Sequence, residues 1–101
     1  MIKHVIIWTL KDTLSDAEKI EIKSNAKLNL EALVGKIDGL IDLKIITDFL
    51  PTSNGEMMLD STFDSFEALK AYAMHPAHQA AANEFVRPYT ASRSCVDFEI
   101  Q

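Results

Sequence analysis

Apolar and polar positions along this chain follow two periods, and each change of period marks an element. Residues 2–10 read IKHVIIWTL, β-branched and aromatic with no breaker, which predicts a strand. One face of that strand carries Ile2, His4, Ile6, Trp8 and Leu10 and the other carries Val5, Ile7 and Thr9, so both faces are apolar and both need cover. Ser15-Asp16-Ala17-Glu18 then forms a capping box, behind which Ile22, Ala26, Leu30, Leu33, Val34 and Ile37 recur at helical spacing. This predicts a long amphipathic helix from Asp16 to Val34, with Gly35 or Gly39 as its stop. Ile20 and Leu28 fall outside its main apolar stripe.

Leu40 to Phe49 alternate again, with Ile41, Leu43, Ile45, Thr47 and Phe49 on one side and Asp42, Lys44 and Asp48 on the other, as a second strand does. Pro51-Thr52-Ser53-Asn54-Gly55 is turn chemistry in which Asn-Gly tolerates positive φ, and Met57 to Phe63 follows as the third strand of a hairpin. Asp64-Ser65-Phe66-Glu67 is a second capping box ahead of a short helix carrying Phe66, Leu69 and Ala73. Pro76 interrupts that helix and starts another over the alanine-rich stretch Ala77 to Val86, which stops before Pro88. Ser94 to Ile100 alternate as a closing strand, in which Cys95 is expected to be a small buried hydrophobe.

The predicted order is β-α-β-β-α-β, the ferredoxin-like α+β arrangement with an antiparallel four-stranded sheet, as a single domain over residues 1–101. Two helices cover only one face of such a sheet, and the other face is expected to be apolar too. A second copy of the chain would cover it, with the two sheets either packed face to face or closed into an eight-stranded barrel, and a pocket left between them.

Composition narrows the function classes. Fifteen acidic residues against ten basic ones give a net charge of −5, and scattered basic residues offer no stripe for phosphates, so nucleic acid is not an expected partner. The apolar run Val5–Trp8 is far short of the roughly 20 residues of a membrane span. The start Met1-Ile2-Lys3-His4 has none of the succession of a signal peptide, so the expectation is a cytoplasmic protein with no membrane partner. One cysteine makes neither an internal disulfide nor a cysteine-based metal site, and three scattered glycines build no phosphate loop. No cofactor and no metal are expected.

The dense group of functional side chains is Tyr72-Ala73-Met74-His75-Pro76-Ala77-His78, at the break between helices. His78 falls in the first turn of the second piece, where the positive end of the helix dipole disfavours imidazolium, so a neutral ring can act as a base. Tyr72 can donate a hydrogen bond to a carbonyl or an enolate. Pro76 breaks the register that would let His75 and His78 share a metal, and the same residues can equally serve as polar groups satisfying a helix junction. His4 on the first strand is a further catalytic candidate, while His75, Trp8, Met57, Ile6 and Phe49 are candidates for lining a ligand pocket.

Ile2-Lys3-His4-Val5-Ile6, Thr62-Phe63-Asp64-Ser65-Phe66-Glu67 and above all His75-Pro76-Ala77-His78 resemble the stress-responsive α/β-barrel (Dabb) family over nearly the whole chain. The resemblance implies a ferredoxin-like protomer paired into a dimeric α+β barrel. One branch of that family is similar to a plant polyketide cyclase that closes a linear poly-β-ketone by aldol condensation. By that likeness the tyrosine and second histidine of Y-x-x-H-P-A-H, here Tyr72 and His78, are an acid/base pair, and His4 matches a first-strand histidine. The chain departs on the third strand, where that enzyme has a pocket histidine and this one has Met57. Three readings follow: a homodimer of unassigned role that binds a small apolar or carbonyl-containing molecule, a cyclase-like or isomerase-like acid/base enzyme, and a cofactor-free or haem-related monooxygenase such as the wider barrel superfamily contains.

Overall fold

The strands are β1 (Ile2–Leu10), β2 (Leu40–Ile46), β3 (Met57–Phe63) and β4 (Thr90–Glu99), and the helices are α1 (Asp16–Glu31), α2 (Phe66–Met74) and α3 (Pro76–Phe85). All strand pairs are antiparallel, in the order β2-β3-β1-β4. The architecture is the expected ferredoxin-like α+β fold with its second helix in two pieces, taken from a computed structural model that describes residues 1–100. No helix of the described residues is long and apolar enough to cross a membrane.

Alternation along β1 and β3 divides the sheet into two faces. Ile6, Trp8 and Leu10 from β1 and Met57, Leu59 and Phe63 from β3 point toward the helices and are buried with Ile22, Ala26 and Leu30 of α1. The intervening side chains form the open face. There Ile7 is 43% exposed, and its rungs carry Met58 on one side and Ser94 on the other. Val96 and Phe98 of β4 continue this face at 59% and 49% exposure, so an apolar surface covers its β1–β4 half.

Local chemistry explains most boundaries. Ser15 accepts from the Glu18 amide while Glu18 accepts from the Ser15 amide, completing the capping box of α1. α1 ends at Glu31 rather than Val34, because the amides of Leu33, Val34 and Lys36 bond three residues back in tightened turns that bring Leu33 and Ile37 into the core. Gly39 then takes φ +82°, and a Cβ there would stand 2.5 Å from that of Ala68, so no other residue fits. The second box differs from expectation: Ser65 is the cap and accepts from Ala68, which leaves Glu67 outside the reciprocal bond.

β2 stops at Ile46 rather than Phe49, since its last rung pairs Ile46 with Met58. A register shift between Leu40 and Asp42 turns Ile41 outward, away from Leu43 and Ile45. Gly55 does not adopt positive φ; its value lies in the absence of a side chain, because a Cβ would meet Ile7 Cγ2 at 2.7 Å. β4 begins at Thr90, four residues early, because β1 is long enough to pair with it as far as Leu10. Cys95 is exposed, not buried: β4 is an edge strand that the helices leave uncovered, and every residue of β4 after Thr90 is exposed.

Candidate functional site

The helix break is built as the order of residues requires. His75, preceding a proline, is extended at φ −67° and ψ 133°, and its Nδ1 accepts from the Ala77 amide at 3.1 Å. Pro76 follows at the first position of α3, where its missing N–H costs nothing. His75 is therefore a cap. It does not line the cavity described next, and neither does Phe49, 38% exposed beyond the end of β2, nor Met57, fully enclosed in the core. These three placements correct the expectation of a pocket-lining role.

Between the helix face of β1 and the break lies a cavity of about 140 Å³ bounded in part by His4, Ile6, Trp8, Tyr72 and His78. A wider groove between α1 and α3 has Glu18, Glu21 and Glu84 on its walls but no histidine, and so no group that exchanges protons near neutral pH.

Tyr72 and His78 come together across the break, with ring centroids 4.2 Å apart. Tyr72 also packs on Phe63 at 5.0 Å and edge-on to His4 at 6.4 Å. Burial drives the Tyr72 phenol far above its ordinary pKa, which keeps it a hydrogen-bond donor at any physiological pH. His78 Nδ1 lies 3.2 Å from the Ala73 carbonyl, which can only accept. The neutral ring therefore carries its proton on Nδ1 and its lone pair on Nε2. Burial lowers the His78 pKa, and the charges of Arg87, His4 and Arg93 act in the same direction against the bond to Ala73. Arg87 is held by the Gln79 and Asn83 side chains at 2.9 and 2.5 Å, and with Arg93 it makes one rim of the cavity cationic in an acidic protein.

Strand register adds a group that the order of residues conceals. His4 pairs with Asp97 and Ile6 with Cys95, so Cys95 and Asp97 project from β4 on the face that His4 occupies on β1. His4 Nδ1 donates to Asp97 Oδ1 in close contact, and the Cys95 sulfur lies 3.7 Å from His4 Nδ1 and 3.6 Å from Asp97 Oδ1. Desolvation and then the Asp97 carboxylate raise the thiol above its ordinary pKa. Behind His4, the enclosed Ser61 hydroxyl donates to its backbone carbonyl at 2.8 Å. Sequence reasoning missed Asp97, Arg87 and Arg93. Period-two spacing joins Cys95 to Asp97, but nothing along the chain joins either to His4.

The family model of the Stress Responsive A/B Barrel Domain, Dabb, matches residues 2–100. The chain belongs to the Dabb family. A dimeric Bacteroides fragilis protein of unknown function with a ferredoxin-like fold superposes on this Dabb protein with a TM-score of 0.90 and 31% identity, covering 98% of this chain and 95% of that one. Olivetolic acid cyclase of Cannabis sativa is 27% identical over 77 residues, 76% of this chain and 75% of the cyclase. A hydroxynitrile lyase from Passiflora edulis shares the fold at a TM-score of 0.76 and 19% identity, over 99% of this chain and 93% of that one.

Proposed function

We propose that this Dabb protein is a homodimer whose protomers each bind a small, largely apolar carbonyl compound in the cavity beside the helix break, and exchange a proton on the carbon next to the carbonyl. The observation that carries the reading is the Tyr72–His78 pair, 4.2 Å between ring centroids on the wall of a single cavity. A free lone pair on His78 Nε2 removes the proton, the C–H electron pair becomes the carbon–carbon double bond as the carbonyl π pair moves to oxygen, and the Tyr72 hydroxyl holds the resulting enolate. The cationic rim of Arg87 and Arg93 favours that negative charge over the neutral ground state. A volume of about 140 Å³ sets the size class, since a cavity of that order takes a molecule about as large as benzene.

Likeness to a cyclase supports carbon-acid chemistry. A haem-type reading gains nothing from the geometry, because a cavity this small does not accept a macrocycle. Dimerisation rests on the apolar open face and on the dimeric Bacteroides relative.

Acetylacetone in D2O, followed by proton NMR, tests the chemistry. Wild-type protein is expected to accelerate exchange at the central carbon, with the increment lost in His78→Ala and cut at least tenfold in Tyr72→Phe. Equal acceleration by all three proteins would remove the acid/base assignment.

A further inference from the structure

The His4–Cys95–Asp97 group takes no part in the chemistry just described, and it has the composition of a metal site. We propose that these three side chains hold a zinc ion whose remaining coordination position stands at the edge of the Tyr72–His78 cavity. One donor atom from each residue lies within 4.8 Å of the other two. A zinc ion at usual bond lengths needs its sulfur roughly 3.6 Å from a neighbouring nitrogen or oxygen donor. The two edges that meet at the Cys95 sulfur measure 3.7 Å and 3.6 Å. Only the third edge, where His4 Nδ1 and Asp97 Oδ1 touch, must open to admit the ion.

Chemistry selects the ion. Thiolate, imidazole and carboxylate together suit zinc, whereas an all-oxygen set would suit magnesium or calcium. Thiolate and carboxylate supply two negative charges, which neutralise a divalent ion. On binding, the ion takes the place of the proton that His4 Nδ1 shares with Asp97; the neutral imidazole carries its proton on Nε2 instead, and the thiol proton leaves to solvent.

Backbone geometry holds the donors in place. The two β4 ligands are two residues apart on one face of a strand, and His4 is the direct cross-strand partner of Asp97. Three protein donors with one position left open is the pattern of a catalytic rather than a structural zinc. His4 belongs both to this group and to the cavity wall, so a water or carbonyl on the open position reaches the space that Tyr72 and His78 face.

Titration of the full chain with zinc chloride alone, by calorimetry, and with cobalt chloride, by absorption, tests the site without any substrate. One equivalent per chain and a near-ultraviolet thiolate-to-cobalt charge-transfer band are expected. Cys95→Ser should abolish that band and weaken zinc at least a hundredfold, and Asp97→Asn should weaken it at least tenfold. Both positions are exposed, so circular dichroism is expected to show these variants folded. His78→Ala, which removes the proposed base, should leave zinc affinity unchanged, so failure of the carbonyl reading and failure of the metal site are separable. Absence of the charge-transfer band, or equal zinc affinity in wild type and Cys95→Ser, would overturn the proposal.

Discussion

At His78 a helix start, a carbonyl and a half-buried ring act on the same proton. The Ala73 carbonyl fixes the tautomer, and burial lowers the pKa from its ordinary 6.5. In the unfolded chain His78 takes a proton near that ordinary value, and in the folded chain it does so only at lower pH. Its contribution to stability is therefore complete above about pH 6.5 and is lost as pH falls through that value toward the folded one. An NMR titration of the His78 ring protons is expected to give a midpoint below 6.5; a midpoint at or above it would contradict the burial argument. Tyr72 and His78 were legible in the sequence because only five residues, one of them a proline, separate them, and local rules cover that distance. Asp97 and Cys95 were not, since they meet His4 only through the register between the first strand and the last. Phe49 shows the opposite error: an alternating pattern ran on past the end of the ladder that gives alternation its meaning.

Element by element, period and punctuation found every strand and helix, and the corrections concern their ends. A strand ends where its partner does, which is why β2 loses three residues and β4 gains four at its start. Tertiary clamps were equally invisible. Glu56, just before β3, accepts from the Leu10 amide at 3.0 Å and from Lys19 at 2.9 Å, tying the end of β1 to α1. The hydrogen bond from Lys19, followed by that from the Leu10 amide, holds the Glu56 carboxyl below its ordinary 4.5 against partial desolvation. Stability from this clamp is present above about pH 4.5 and is lost as pH falls through the folded value. Glu56→Gln keeps the shape but removes the charge, and should lower stability by about 1–2 kcal/mol at neutral pH and flatten the acid limb. Urea denaturation at pH 7 and pH 4 measures both effects; an unchanged acid limb would show that Glu56 is not a source of the pH dependence.

For the whole molecule, the open face decides what the protein is in solution. Each Val or Phe moved from water into an interface contributes about 1.5–3 kcal/mol. Val96→Glu with Phe98→Glu, on an exposed strand outside the core, should convert the proposed dimer into a folded monomer seen by light scattering with circular dichroism intact. A dimer that survives the pair of glutamates would locate the interface elsewhere.

The two outer strands differ in what they offer a stranger. In the middle of β2 the Ile45 amide donates to Glu31 at 2.9 Å and the Ile45 carbonyl accepts from Lys27 at 3.0 Å, while β4 has no such plug among the described residues. Linear growth of a fibre by edge-to-edge addition needs two vacant margins on every unit. Among the described residues this protomer has one margin without such a plug, so a misdirected pairing through β4 consumes that margin on both participants and goes no further. Two residues of a helix thereby act as a chain terminator against filament formation, and neutralising Lys27 and Glu31 together would unlock it.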